Sequence, residues 1–343
     1  MKPITIIGGG IAGLSLGIAL RRFDVPVTVQ EAGRYPRHRV CGEFLSGVSE
    51  RTLETLGISE TLRGSVINRT TGWYRRNRLI FRRELPKPSH GLSRLRLDFR
   101  LADCFENNGG LLRTGTRVGV RELAEATEGT VHAVGKTSGK SHWLGLKIHL
   151  RSVPGLEEDL QMHLGAKAYA GICRIEEDRY NLCALFRRRP GLKGHGLQLI
   201  CDYLRASGLE GLEEKVRAGT PCEDSFTAVS GFTFSAGKRR TDGRILLGDA
   251  SGMIPPFTGN GMSLAMESAE AVLPHVLAYS RDSLTWGQAS RLASRDLSKR
   301  FRWRRRAALL VQTLLGNRGA QALLASLASR NLLPFERLYS CTR

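Results

Sequence analysis

Three glycines at the spacing GxGxxG, namely Gly8, Gly10 and Gly13, are the first residues in this sequence whose type and placement could do chemistry. Glycine is needed at such positions for a tight turn, for close approach of phosphate to bare backbone, and for packing a helix against a strand. Ile11 and Ala12 complete the turn, and phosphates would sit on unpaired N–H groups at the positive end of the following helix. Further on, Glu31, followed by Ala32, closes the next apolar stretch, where an acidic side chain can accept both hydroxyls of a ribose. This set predicts a site for an adenine dinucleotide whose ribose carries no extra phosphate.

The elements around these residues agree with that chemistry. Ile4 to Ile7 is a short β-branched run suited to a strand buried on both faces, Leu14 to Leu20 is helical in pattern, and Val25 to Gln30 is a second apolar strand. A lone GxGxxG is weak evidence. Its place between a strand and a helix, with an acid at the end of the next strand, is what makes it specific.

A second constellation lies far down the chain. The strand-like Arg244-Ile245-Leu246-Leu247 ends in Gly248-Asp249, and Pro255-Pro256-Phe257-Thr258-Gly259-Asn260-Gly261 then leads into a helix from about Met262. This pair of motifs resembles the flavin-binding elements of the superfamily of para-hydroxybenzoate hydroxylase and geranylgeranyl reductase. The resemblance implies that Asp249 bonds the ribityl chain of FAD. It also implies that the turn after Pro256, with Gly259, Asn260, Gly261 and Met262, brings backbone N–H groups and a helix end to the flavin N1–C2 carbonyl. Reduction places negative charge on that edge, and a positive helix end stabilises it. An NAD-dependent dehydrogenase has no need of this second element, so the expected cofactor is FAD.

Further segments extend the likeness. Arg39-Val40-Cys41-Gly42-Glu43 is similar to an Arg/Lys-x-Cys-Gly-Glu segment of the geranylgeranyl reductase branch and its hydroxylase and halogenase relatives. By that likeness Arg39 faces the FAD phosphates, and Cys41, Gly42 and Glu43 lie beside the flavin ring. Cys41 is the one catalytic candidate, as a redox-active thiol; its alternative is a buried structural residue. Arg94 with Asp98 resembles the family's Arg-x-x-x-Asp that opens a helix near the cofactor. Gly135, in Ala133-Val134-Gly135-Lys136, stands where hydroxylases carry an Asp-Gly pair touching both FAD and NADPH. Val134 replaces the acid, so the electron donor is open between NAD(P)H and an external reductase.

The stretch from Trp143 to Arg187 changes to short alternating strands, Leu144–Leu150, Leu160–Leu164, Lys167–Arg174 and Arg179–Phe186, which read as an antiparallel meander. In the family such a sheet carries the substrate pocket. His142, His149, His163 and Tyr169 are its acid–base candidates. Tyr169 aligns with a Tyr-x-Trp-x-Phe-Pro signature of prenyl reductases, but the Trp and Phe-Pro are missing.

The expected fold class is α/β, a Rossmann-type FAD-binding domain with an inserted antiparallel β-sheet substrate domain and C-terminal helices. The FAD domain is expected from 1–70, 91–140 and 237–280, the substrate sheet from 71–90 and 141–236, and the helical region from 281–343. The chain of 343 residues carries a formal charge of +20, a field that attracts anions but does not specify a fold. No zinc-ligand spacing or RNA-binding motif focuses that charge, so nucleic acid is not an expected partner. Seven scattered cysteines without a CxxC, and a first strand almost at Met1, point to a cytoplasmic protein. The basic run from Lys299 to Arg306, next to apolar residues, reads as a solvated face, with a peripheral contact to anionic membrane as the alternative. The expected function is FAD-dependent oxidation of a small hydrophobic substrate, aromatic or polyketide-like, by a monooxygenase. A double-bond reductase served by an electron-donor protein and a non-catalytic flavin-binding protein are the alternatives.

Overall fold

A computed structural model describes the whole chain except residues 120–122, 124–126, 137–140, 232–242, 256, 258, 331 and 342–343. In chain order the first half contains β1 Ile4–Ile7, α1 Ile11–Arg21, β2 Val27–Gln30, β3 Phe44–Leu45, α2 Glu50–Leu56, β4 Val66–Arg75, β5 Arg78–Gly91, α3 Arg94–Asn107, β6 Leu111–Arg113 and β7 Thr130–His132. The second half contains β8 Trp143–Arg151, β9 Leu160–Gly165, β10 Ala168–Ile175, β11 Arg179–Arg187, α4 Gly196–Ala206, α5 Glu210–Ala218, β12 Thr220–Pro221, β13 Thr227–Ser230 and β14 Ile245–Leu246. Four helices close the chain: α6 Gly261–Ser280, α7 Trp286–Gly316, α8 Arg318–Ser329 and α9 Phe335–Cys341.

One sheet is five-stranded in the order β14-β7-β1-β2-β6, and every pairing in it is parallel. The order runs away from β1 in both directions, through β2 on one side and β7 on the other. A crevice therefore opens at the carboxyl end of β1, the general ligand position in such sheets. Helix α1 leaves that crevice and is buried from Ile11 to Leu20, because the sheet, α3 and α6 all pack around it. Gly17 lets the ring of Phe105 from α3 lie against the helix: a Cβ there would come within 2.9 Å of the ring.

The second sheet has nine strands, in the order β12-β8-β11-β10-β9-β4-β5-β3 with β13 also on β8. Four of its strands are the expected meander, with ends displaced by one residue at most. Side-chain alternation sorts its two faces. Leu146, Ile148, Leu182, Ala184, Ala170 and Ile172 face α4 and α5 in one apolar core. The alternate residues, among them Lys147, His149, Cys183 and Tyr169, face the other way, toward the loop after β2 and a cavity.

The C-terminal basic run is not uniformly solvated as expected. It belongs to the single long helix α7, and Arg300 and Arg304 pair with Glu267 and Glu270 of α6. Arg302 stays exposed, and Arg306 stacks over Trp303. No helix among the described residues is long and apolar enough to cross a membrane.

Phe105 is fully buried between α1 and α3. Its replacement by Ala is expected to cost about 3–5 kcal/mol of stability, read as a lowered midpoint in chemical denaturation at unchanged slope.

Candidate active site

The carboxyl ends of β1, β7 and β14 bring three distant segments together. The backbone of Ala133 lies so close to Gly8 that a Cβ there would stand 2.3 Å from the Ala133 carbonyl oxygen. A Cβ on Gly13 would stand 2.0 Å from the Gly8 carbonyl oxygen, so the first turn closes only with glycine. Gly248 in turn rests on Ala12, with 3.2 Å between the Ala12 methyl and the position a Gly248 Cβ would take. Gly135 sits in a left-handed turn beside this junction with open space next to its Cα.

Two helices start here without a cap. Neither Gly10 before α1 nor Asn260 before α6 offers a side-chain hydrogen bond to the first turn, and neither first turn contains an acid. Next to Gly10 and Gly261 there is open space. Uncapped helix starts that keep bare backbone toward a crevice fit phosphate and a developing anion. Asn260 and Met262 are buried at the second start. Pro256 lies outside the described residues.

Asp249 follows Gly248 into the crevice, and its carboxylate accepts no hydrogen bond from any described residue. Burial pushes its carboxyl up, while Arg94, Lys136 and Arg305 act in the opposite sense. A half-buried carboxylate left without donors fits a ligand that brings hydroxyls. The crevice thus suits a dinucleotide in shape, in bare backbone and in hydrogen bonding.

Glu31 is more occupied than its sequence position suggests. It accepts the Gly9 and Gly33 amides at 2.8 Å each and the Arg37 guanidinium at 2.6 Å. Burial pushes this carboxyl up, but the Gly33 amide together with Arg37 and Arg39 outweighs it and holds the acid below the usual range. A ribose diol would therefore take the place of Arg37. Ala32 is exposed beside it. The Tyr35 hydroxyl donates to the Gly9 carbonyl, folding this loop over the glycine turn. Arg39 bridges Glu31 and Asp98, at 3.8 and 3.0 Å. Asp98 also takes both ends of the Arg94 fork at 2.7 and 2.8 Å, the anticipated pair at the start of α3.

Behind Cys41 and Gly42 lies a buried charged cluster. Glu43 accepts His149 Nε2 at 2.6 Å and the Arg94 amide at 2.9 Å, and Lys147 Nζ stands 3.4 Å away; Glu43, Lys147 and His149 are all without exposed side-chain surface. Lys147 Nζ also donates to His38 Nδ1 at 2.9 Å, which fits a neutral imidazole. Burial, with Lys147 next to it, pushes His38 down to about 4. Burial pushes Glu43 up, but His149 and Lys147 hold it ionised. His38 was not singled out from the sequence, and Glu43 was read there only as part of the segment beside the flavin ring. The signal that pointed here was Lys147 and His149 alternating onto one face of an otherwise apolar strand.

Cys41 is half-buried, and desolvation pushes its thiol up more than Arg94 pulls it down, which favours the thiol over the reactive thiolate. It lines, with Gly42 and Gly259, a cavity of about 240 Å³. Trp73, Phe81, Tyr169, Phe257, Phe335 and Tyr339 give that cavity aromatic walls, and Val311, Leu314, Leu324, Leu333 and Leu338 from the C-terminal region cover it. Two hydroxyls on its wall, Tyr169 and Thr71, are buried without partners. The other candidates are elsewhere: His163 stacks on Tyr74 and bonds Gln161, and His142 is exposed.

A family model for squalene epoxidase matches residues 211–331. The 6-methylpretetramide 4-monooxygenase of Streptomyces rimosus is 25% identical over 350 residues, covering 87% of this chain and 78% of that protein. In sequence the chain is thus similar to an epoxidase family and to a monooxygenase. Its fold is shared with solved structures, two of which follow. PqsL of Pseudomonas aeruginosa, in complex with 2-aminobenzoylacetate, superposes with a TM-score of 0.73 at 18% identity, over 93% of this chain and 97% of PqsL. A geranylgeranyl bacteriochlorophyll reductase-like protein of Thermoplasma acidophilum gives 0.75 at 16% identity, over 99% and 95%.

Gly13→Val is expected to yield folded protein without FAD, because the added methyls collide with the Gly8 carbonyl; purified protein with a full flavin spectrum would refute this. Asp249→Ala is expected to weaken FAD about ten-fold or more, the size of one charge-assisted hydrogen bond, in a fluorescence titration of apo-protein.

Proposed function

We propose that this flavoprotein is a monooxygenase that oxidises a flat, apolar, aromatic or polyketide-like small molecule. The observation that carries this reading is the aromatic cavity whose wall includes Cys41, Gly42 and Gly259, the segments expected beside the flavin ring. The N–H groups at the start of α1, from Gly10 to Gly13, would hold the pyrophosphate, Glu31 the ribose, Asp249 the ribityl chain, and the start of α6 at Gly261 and Met262 the pyrimidine edge. Bound FAD supplies two-electron chemistry toward oxygen.

The chain's own residues do the rest. Aromatic walls orient a planar substrate by stacking and edge contacts. The C-terminal helices cover the chamber, which keeps water from the reacting centre. Burial holds the Tyr169 hydroxyl well above the usual phenol range, so it remains protonated and acts as a donor. With Thr71 it supplies a polar anchor for one oxygen or nitrogen of the substrate. The proton on Tyr169 stays on its oxygen; orientation, not proton removal, is its role. The S. rimosus relative is named as a monooxygenase of 6-methylpretetramide, which supports the monooxygenase reading.

A second reading is double-bond reduction, favoured by the Cys41-Gly42-Glu43 segment and by the fold shared with the T. acidophilum protein. Val134, where hydroxylases carry an acid, leaves the electron source to be decided between free NAD(P)H and a reductase partner.

Stopped-flow mixing of photoreduced holoprotein with oxygen separates the two readings. A transient absorbance distinct from both reduced and oxidised flavin supports the monooxygenase; slow single-step reoxidation supports the reductase. Tyr169→Phe is expected to weaken a hydroxylated aromatic probe such as 2-naphthol by about 5- to 20-fold, the worth of one buried hydrogen bond, while naphthalene binds as before. Equal loss for both probes would show a packing role instead.

A further inference from the structure

The basic run on α7 contains one residue that behaves unlike its neighbours. Arg300 and Arg304 reach along the helix surface to Glu267 and Glu270, and Lys299 and Arg302 are exposed. Arg305 instead turns into the fold. Its Nη2 donates to Ser251 Oγ at 2.9 Å, and that hydroxyl itself donates to the Gly248 carbonyl at 2.7 Å. The guanidinium packs on Gly252, where a Cβ would stand 3.0 Å from its central carbon. Its Nε is buried with no partner. A helix from the far end of the chain thus places a cation on the turn that follows Gly248-Asp249.

Helix packing alone gives no reason for this charge. A guanidinium taken out of water requires compensation, and Arg305 has one neutral hydroxyl as its hydrogen-bond partner. The nearby acid is Asp249, whose field is shared by Arg94 and Lys136. Arg94 is also committed to Asp98. Positive charge is in excess at this end of the crevice, as expected where an anion binds.

We infer that Arg305 is an FAD-positioning residue, whose charge, delivered by the C-terminal helix, meets the anionic part of the cofactor next to Asp249. This rests on the FAD assignment above. It gives the C-terminal region a second role beside covering the cavity: the helix that covers the substrate also touches the cofactor's turn, so the cofactor and the cover stabilise each other.

FAD titrated into apo-protein, followed by flavin fluorescence, tests the inference. Arg305→Gln keeps a group able to bond Ser251 but removes the charge, and is expected to weaken FAD about ten-fold or more. Arg305→Lys keeps the charge and is expected to stay within about three-fold of wild type, as is Arg302→Gln on the exposed face. Should Arg305→Gln not fold, Arg305→Met, which retains the buried stem, takes its place. The midpoint potential then locates the charge. A lower potential in the uncharged variant places it at the reduced flavin ring, and an unchanged potential with weaker binding places it at the diphosphate. Equal FAD affinity in wild type and Arg305→Gln would overturn the inference alone, as would Arg305→Lys binding as weakly as Arg305→Gln. A wild-type protein that binds no FAD would overturn the cofactor assignment itself.

Discussion

The buried carboxylate of Glu43 is the constraint on which the rest of the arrangement depends. Its backbone is left-handed, with φ of 54°, immediately before β3. From there the side chain reaches two different elements: β8, through His149 and Lys147, and α3, through its first amide. A charge in such a place is tolerated only when every partner is present, and removing one partner of a buried pair typically costs about 3–5 kcal/mol. The nine-stranded sheet is thereby tied to the start of α3 beside the cavity.

The consequence is a chamber whose two sides come from different logic. On the crevice side there is bare backbone: glycine turns, uncapped helix starts and a carboxylate without donors among the described residues. On the substrate side there are aromatic and aliphatic side chains with two unpartnered hydroxyls. Backbone suits an anion with fixed geometry, and side chains suit a ligand that varies between relatives. The shared fold of this chain, PqsL and the T. acidophilum protein, at 16–18% identity, fits that division. In this chain the crevice lies at the carboxyl end of β1, and the nine-stranded sheet and the terminal helices shape the chamber.

Charge is divided in the same way. The excess of basic residues does not form a featureless positive surface. Arg37 and Arg39 converge on Glu31 and Asp98, Arg94 on Asp98, Arg300 and Arg304 on the acids of α6, and Arg305 on the turn after β14. Several of these are half-buried, where a charge interacts more strongly than at the surface.

How much of this was legible from residue order follows from the range of each interaction. Gly8, Gly10, Gly13, Glu31 and Gly248-Asp249 could be read as a flavin site because each motif is local: a turn, a cap and a strand end are specified within a few residues. The alternation in β8 to β11 was legible for the same reason, and so were the strands themselves. The occupation of Glu31 by Arg37, the joining of Glu43 to Lys147 and His149, and the inward turn of Arg305 were not. Each joins residues brought together by sheet register or helix packing, and no local pattern marks them. The sequence by itself determined the cofactor class and the two kinds of sheet, since both rest on short-range periodicity and backbone chemistry. Only the tertiary structure decided which buried charges face one another and which helices cover the cavity, because those choices depend on how distant faces pack.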